Sequence, residues 1–238
     1  MIKNVLFDMD GTLIDCNPST FLPPYKNLLL KKFSYRADGA DLVKTIFEGV
    51  VAMLKNDGAQ TNRDVFFRFI DNSGIIRSAD LEDTMGDFYE TAYDELISLV
   101  GKKTIMPQAV ELLIKKGYRL AVTTNPLFPL LAIEKRLIWG GHNPKNFELV
   151  TSYETSSFAK PSVGFFIEAL NRLDFKTEET LVVGNDKRED IHAGKEVGMT
   201  AYYLTDTPID DGSGKFTPDF EGKENEFYEF VKNLPALK

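Results

Sequence analysis

A short apolar run near the N-terminus leads directly into a pair of acidic residues. The run from Ile2 to Phe7 ends in the pentapeptide Asp8-Met9-Asp10-Gly11-Thr12. Side chains with this spacing alternate onto one face of a strand, and Gly11 lets the chain turn sharply out of a sheet. Because an unpaired buried charge is costly, acids at such a position usually hold a metal or a reacting group. The alternative is an ordinary strand-to-loop turn in which both acids only cap backbone amides.

Composition narrows the class of protein. The 238 residues are enough for one large domain or two smaller ones. A net charge of -8 argues against general binding to nucleic acid or to anionic membranes. The single cysteine, Cys16, excludes an intramolecular disulfide and fits a reducing cytosol, and no apolar run is long enough to cross a bilayer. We therefore expect a cytoplasmic protein; its oligomeric state stays open.

The second half of the chain alternates between strand and helix patterns. Three β-prone segments run into polar loops: Tyr118 to Val122 before Thr123-Thr124-Asn125-Pro126, Leu181 to Val183 before Gly184-Asn185-Asp186, and Thr200 to Leu204 before Thr205-Asp206-Thr207-Pro208. Helices are predicted at Pro107 to Lys116, Ser162 to Leu173 and about Arg188 to Val197. This order predicts an α/β protein with a doubly wound parallel sheet, in which ligands bind beyond the carboxyl ends of the strands. The polar loops all fall at those ends.

A helical segment interrupts this pattern. Between Cys16 and about Lys103 there are no β-prone runs, and helices are predicted at Tyr25 to Lys32, Asp38 to Lys55, Asn62 to Ile70 and Ala79 to Val100, with Thr61 and Ser78 as N-caps. The predicted organisation is thus an α/β core, residues 1–15 and 104–238, with an all-helical insertion at 16–103. A last short helix is expected around Glu224 to Leu234.

Four polar signals follow one another in a fixed order along the predicted core. They are Asp8-x-Asp10-Gly11-Thr12, Thr124-Asn125, Lys160-Pro161, and Gly184-Asn185-Asp186 through Asp190. Their order and spacing resemble the four motifs of the haloacid dehalogenase (HAD) superfamily, whose members are mostly phosphatases. The resemblance covers residues 1–15 and 104–205. The inserted helices resemble, in position and character, the cap of the phosphoglycolate phosphatase-like subgroup on a Rossmann-like core.

The resemblance implies a phosphoryl transfer with a role for each motif. Asp8 would be the nucleophile that takes the phosphoryl group, and Asp10 would protonate the leaving alcohol and then deprotonate water. Thr124 and Asn125 would donate hydrogen bonds to phosphoryl oxygens, and Lys160 would contribute a positive charge. Mg²⁺ would take oxygen ligands from Asp8, from the Asp10 backbone carbonyl and from the fourth motif. The expected substrate is a small phosphorylated metabolite.

The fourth motif leaves its metal ligand open. Family members often carry an acid directly after the glycine, but that position here is Asn185, and Asp186 follows. Counted back from Asp190, Asn185 fits the longer family spacing and Asp186 the shorter one. A carboxylate brings more charge to a cation than an amide does, which favours Asp186 as the direct ligand, with Asn185 and Asp190 in or near the first coordination shell.

Three other functions compete with a phosphatase. A hydrolytic dehalogenase is disfavoured, because those family members lack the second acid and Asp10 is present here. A phosphomutase resembling β-phosphoglucomutase keeps the same residues and is the first alternative. A non-catalytic domain phosphorylated on an aspartate is less well supported, because it explains neither the helical insertion nor Asp10. The insertion's aromatic residues Phe66, Phe67, Phe69, Phe88, Tyr89 and Tyr93 are expected to pack in its interior or in its contact with the core.

Overall fold

The computed structural model describes residues 1–237, so Lys238, the last residue of the predicted core, lies outside the described residues. The strands in chain order are β1 (Asn4–Phe7), β2 (Ile14–Asp15), β3 (Gly101–Lys102), β4 (Arg119–Val122), β5 (Thr180–Gly184), β6 (Thr200–Leu204) and β7 (Phe220–Gly222). Five of them form one sheet in the order β4-β1-β5-β6-β7, and every neighbouring pair is parallel. This confirms the predicted α/β fold. Strand β7, at the edge of the sheet, was not predicted. Two of its three residues are exposed, so it has no run of buried residues.

The helices lie on both faces of this sheet and above its carboxyl end. They are α1 (Pro18–Lys32), α2 (Gly39–Leu54), α3 (Asn62–Ser73), α4 (Ser78–Glu90), α5 (Met106–Lys116), α6 (Leu130–Trp139), α7 (Val163–Leu173), α8 (Ala193–Val197) and α9 (Glu224–Asn233). A 3₁₀ stretch covers Ala92–Leu99, and a π-helical turn covers Lys187–His192. None of the helices within residues 1–237 combines the length and the apolar character needed to cross a membrane.

The central strands are apolar on both sides because both sides are covered. Strands β1 and β5 are buried along their whole length. Phe7 packs in one apolar cluster with residues of α5 and α9, whereas Leu6 packs in a second cluster with residues of α7 and α8. Alternate residues of one strand therefore face different helix layers, as a doubly wound sheet requires.

Helices α1–α4 and the 3₁₀ stretch form a separate layer, which we call the cap. The antiparallel pair β2–β3 joins it to the core, with Ile14 opposite Lys102. The cap interior is aromatic, and the rings of Phe88 and Tyr93 both pack edge-on against Tyr25. Apolar burial of large rings of this kind is the main stabilising term for a small helical layer.

The cap helices differ in detail from their predicted bounds. Helix α1 begins at Pro18 rather than near Tyr25 and continues through Pro23 and Pro24. The carbonyl groups that these prolines leave without a helical donor belong to exposed residues, where water can reach them. Thr61 is confirmed as an N-cap of α3, with its hydroxyl accepting from the Asp64 amide at 3.1 Å.

Two other predictions in the cap were wrong. Ser78 is the first residue of α4, and the N-cap position is held by Arg77. The single helix predicted from Ala79 to Val100 is broken at Thr91, where φ is -120° and ψ is -81°. Thr91 instead donates its hydroxyl to the Asp87 carbonyl, a local bond by which threonine competes with helix continuation.

Candidate active site

The loops that follow β1, β4 and β5 bring the predicted site residues to one place. They surround a cavity of about 360 Å³ between the core and the cap. Most of its core side is polar. We call this part the polar floor; it consists of Asp8, Asp10, Thr124, Asn125, Asn185, Asp186, Glu189 and Asp190, with Lys160 bonded beneath Asp8. The core also contributes Leu127, Phe128, Arg136 and Ile209 to the cavity lining. The cavity therefore lies where ligands bind in open parallel sheets.

Lys160 joins two of the acids in a buried cluster. Its Nζ lies 2.8 Å from Asp8 Oδ1 and 2.5 Å from Asp190 Oδ1. The Lys160 and Asp190 side chains are each 1% exposed. Burial alone would lower the pKa of Lys160, but Asp190 and Asp8 outweigh it and the pKa is raised. Lys160 is thus a fixed cation that holds one oxygen of Asp8.

Gly184 and the π-helical turn put Asp190 in reach of Lys160. A Cβ on Gly184 would come within 2.4 Å of the Asp190 side chain, so only glycine allows this approach. The turn directs the second carboxylate oxygen of Asp190 to the Asp186 amide at 3.0 Å. Burial raises the pKa of Asp190, and Lys160 only partly opposes it. Single π-helical turns of this kind often occur at functional sites.

Asp10 has a partner that the sequence did not reveal. Nη1 of Arg136, on α6, donates to both carboxylate oxygens of Asp10, at 3.0 and 2.9 Å. The guanidinium group of Arg136 lies between two rings, 5.2 Å from the centre of Phe21 and 4.9 Å from that of Phe128. Burial raises the pKa of Asp10, and Arg136 opposes this effect. Arg136 therefore fixes where the Asp10 carboxylate lies.

Arg136 was missed because nothing in a single sequence ties it to Asp10. Helix α6 itself was not predicted. Its buried positions include Ala132, Ile133 and Leu137, and Arg136 lies on the same face, 3% exposed. A basic residue within the apolar stripe of a helix is the one signal that could have marked it.

Thr124 and Asn125 follow β4 and form one edge of the polar floor. The Thr124 side chain is buried against the cavity, and its carbonyl accepts from the Thr151 hydroxyl at 2.6 Å. The Asn125 amide group bridges two loops, since Nδ2 donates to Glu189 at 3.2 Å and Oδ1 accepts from the Lys160 amide at 3.3 Å. Glu189 was not predicted from the sequence, and burial raises its pKa.

Asn185 and Asp186 both line the cavity but are held differently. Asn185 Nδ2 donates to the Thr207 carbonyl at 2.7 Å, and Oδ1 accepts from the Thr12 hydroxyl at 3.3 Å. Asp186 Oδ1 accepts from the amides of Arg188 and Glu189, each at 2.8 Å. Within residues 1–237, Asp186 Oδ2 accepts no hydrogen bond. Gly11, with φ +80°, gives Asn185 its space, because a Cβ there would lie 2.4 Å from Nδ2.

The charge of the polar floor fits a hard cation. Arg136 balances Asp10, which leaves Lys160 as the partner of both Asp8 and Asp190, while Asp186 and Glu189 add two further carboxylates. A phosphate could not enter such an acidic cleft without a compensating positive charge. In residues 1–237, no three acidic, histidine or cysteine side chains form a metal cluster. The carboxylate and amide oxygens of the polar floor are the kind of ligand that hard cations prefer.

The opposite side of the cavity belongs to the cap and is apolar. We call it the cap wall; its residues are Pro18, Phe21, Leu22, Tyr25, Ile46, Phe47 and Val50. The cap aromatics singled out from the sequence are not among them, since Phe88, Tyr89 and Tyr93 are buried inside the cap as predicted. The cap is also fixed to the core beside the site, because Asn62 donates to the carbonyls of Pro126 and Phe158, both at 3.2 Å.

Comparison with known proteins gives the family that the sequence motifs resemble. A family model described as haloacid dehalogenase-like hydrolase matches residues 2–198. A phosphoglycolate phosphatase of Aquifex aeolicus (strain VF5) is 30% identical over 198 residues, which cover 83% of this chain and 82% of the relative.

Solved structures share the fold over nearly the whole chain. A HAD phosphatase from Thermococcus onnurineus matches with a TM-score of 0.62 at 18% identity, covering 99% of this chain and 100% of that one. A 2-haloacid dehalogenase from Pseudomonas syringae pv. Tomato DC3000 also gives a TM-score of 0.62, at 22% identity, covering 98% and 99%. The fold alone does not separate these two activities. The family expected from the motifs is nevertheless confirmed, and the chain belongs to the haloacid dehalogenase-like hydrolases.

Proposed function

We propose that this protein is a Mg²⁺-dependent phosphatase that hydrolyses a small phosphomonoester through an aspartyl-phosphate. The observation that carries the proposal is the pairing on one cavity floor of Asp8, held by Lys160 at 2.8 Å, with a second acid, Asp10, two residues further on. An ester substrate needs a proton for its leaving alcohol, and Asp10 supplies a group for that task. The phosphatase relative of Aquifex aeolicus agrees with this choice.

The proposed reaction has two steps. A carboxylate oxygen of Asp8 attacks phosphorus, and the bond from phosphorus to the ester oxygen breaks as Asp10 gives its proton to the leaving alcohol. Water then attacks phosphorus and gives a proton to Asp10, which releases inorganic phosphate and restores both acids. The Thr124 hydroxyl, the Asn125 backbone amide and Lys160 would position and neutralise the phosphoryl oxygens.

Mg²⁺ would be held by the Asp8 carboxylate, the Asp10 backbone carbonyl and Asp186, with Asn185 beside them. When bound, it would neutralise charge on the phosphoryl oxygens. Asp186 is favoured because a carboxylate brings more charge to a cation than the Asn185 amide does. One of its carboxylate oxygens also accepts no hydrogen bond within residues 1–237.

Further assignments rest on the same reasoning. We place the cap at residues 16–103, because the β2–β3 pair, Ile14–Asp15 with Gly101–Lys102, lies at both of its ends. We keep the expectation of a cytoplasmic enzyme. The phosphomutase alternative is disfavoured, because a sugar phosphate needs polar partners and the cap wall is apolar.

The test is a phosphate-release assay over a panel of phosphomonoesters, with purified protein and with Asp8→Asn as the blank. We expect release in Mg²⁺, none after chelation, and recovery when Mg²⁺ is restored. Release that Asp8→Asn retains would contradict the proposal, and so would halide release from 2-haloacids without phosphatase activity. In a separate comparison, Asp186→Ala should raise the Mg²⁺ concentration needed for half-maximal activity more than Asn185→Ala does.

A further inference from the structure

The cap wall defines what the leaving group must be. An alcohol joined to a phosphate on Asp8 has to occupy the part of the cavity under the cap, because the polar floor forms the other side. The volume of about 360 Å³ is within the usual range for small-molecule sites, roughly 300–1,000 Å³. The chemistry of the cap wall therefore selects the substrate.

The cap wall offers a substrate few polar partners. Six of its seven side chains are hydrocarbon, and the seventh, Tyr25, has its hydroxyl 2.7 Å from that of Tyr89 inside the cap. Within the described residues, no charged side chain of the cap lines the cavity. Lys26 and Lys44 are exposed and border a different groove on the outer side of α1 and α2.

The core does not supply a free cation for a second anionic group either. Among residues 1–237, Arg136 is the one basic side chain that lines the cavity. Its Nη1 holds both oxygens of Asp10, and its guanidinium group lies between the rings of Phe21 and Phe128. If Arg136 also bound a substrate carboxylate, its positive charge would be shared between two anions. Asp10, the proposed general acid, would then be held less firmly.

We propose that the natural substrate is the phosphate ester of an uncharged, largely apolar alcohol. This inference rests on the proposed phosphatase function. An anionic leaving group would lie against hydrocarbon without a partner, which is strongly unfavourable. Each methylene that the cap wall removes from water improves binding about fourfold. The protein then differs in substrate from the phosphoglycolate phosphatase that it resembles over most of its length.

The first test compares two esters of nearly equal size. Isobutyl phosphate carries an isopropyl group where 2-phosphoglycolate carries a carboxylate. We expect kcat/KM for isobutyl phosphate to be at least about tenfold higher, and benzyl phosphate to be better still. An equal or higher value for phosphoglycolate would overturn the inference and leave the phosphatase proposal intact. Absence of phosphate release from every ester would overturn both.

The second test puts a charge into the cap wall. Val50 is half-buried and lines the cavity, whereas its neighbour Val51 is 46% exposed on the outer side of the same helix. Val50→Lys should shift the ratio of the two kcat/KM values toward phosphoglycolate by at least about tenfold, and Val51→Lys should leave it unchanged. Because the ratio is measured on one preparation, partial unfolding does not affect it. An unchanged ratio in Val50→Lys would show that the leaving group lies elsewhere.

Discussion

The polar floor and the cap face each other across one cavity but bury opposite kinds of side chain. On the floor, charged groups are buried in pairs, with Lys160 between Asp8 and Asp190 and Arg136 on Asp10. In the cap, Tyr25 is packed among aromatic rings such as Phe88. Buried ion pairs rarely add net stability, whereas buried rings do. The floor is therefore organised for chemistry, and the cap for packing and selection.

The largest effect should come from the floor and should concern turnover alone. Asp8→Asn removes the nucleophile, so kcat should fall at least about 10⁴-fold. Its free energy of unfolding should change by no more than about 1 kcal/mol, since Lys160 keeps Asp190 as a partner. Steady-state assays and urea titrations measure the two quantities. If the loss of unfolding free energy were as large as the loss of activity expressed as a free energy, the distinction between floor and cap would be contradicted.

In the cap, the largest effect should concern stability. Phe88 is fully buried and packs against three aromatic rings, those of Tyr25, Tyr89 and Tyr93. Phe88→Ala should lower the free energy of unfolding by about 3–5 kcal/mol, measured by urea titration. Tyr35→Ala, at a position that is 71% exposed, is the control and should leave the midpoint unchanged. A small loss for Phe88→Ala would show that the cap is not held by this packing.

Arg136 connects the two regions, so its removal should affect both quantities. Asp10 is half-buried, and Arg136→Met removes its ion-pair partner. The substitution should therefore lower the free energy of unfolding by about 3 kcal/mol and reduce kcat about a hundredfold. KM should change little, because Arg136 acts through Asp10. The control is Lys135→Met on the same helix, which removes a surface pair with Asp94 at 2.7 Å. Equal losses of activity in the two variants would remove the special role of Arg136.

The smallest predicted effect isolates one hydrogen bond of the cap. Tyr25→Phe leaves the Tyr89 hydroxyl without its partner and should cost about 1 kcal/mol. Changing both tyrosines to phenylalanine should restore most of that loss, because neither side then buries an unpaired hydroxyl. A double variant that lost the sum of the two single effects would mean that the bond itself contributes little.

The sequence was sufficient to predict which side chains meet at the carboxyl end of the sheet. Asp8, Asp10, Thr124, Asn125 and the fourth motif each follow a predicted strand, so topology alone brought them together. Lys160 came from the motif order. Their position around one cavity could be predicted because their neighbours in the chain identify them.

Residues whose role depends on tertiary contact were missed. Arg136 meets Asp10 across 126 positions of sequence, on a helix whose pattern was not recognised. The surroundings of Cys16, the single cysteine, could not be predicted from the sequence either. Burial, with a smaller effect of Asp10, raises its pKa to about 12. The cap-wall residues, such as Phe47, are apolar positions in helices like any others, so only the packing shows which of them face the cavity.

The central claim is that Asp8 itself carries the phosphoryl group, and rapid acid quenching tests it directly. The protein is mixed with a ³²P-labelled phosphomonoester in Mg²⁺, quenched within one turnover, digested, and its labelled peptide sequenced. We predict label on the peptide that contains Asp8, its loss during a chase with unlabelled ester, and no label in Asp8→Asn. Phosphate release at full rate with no label on Asp8 would contradict the account.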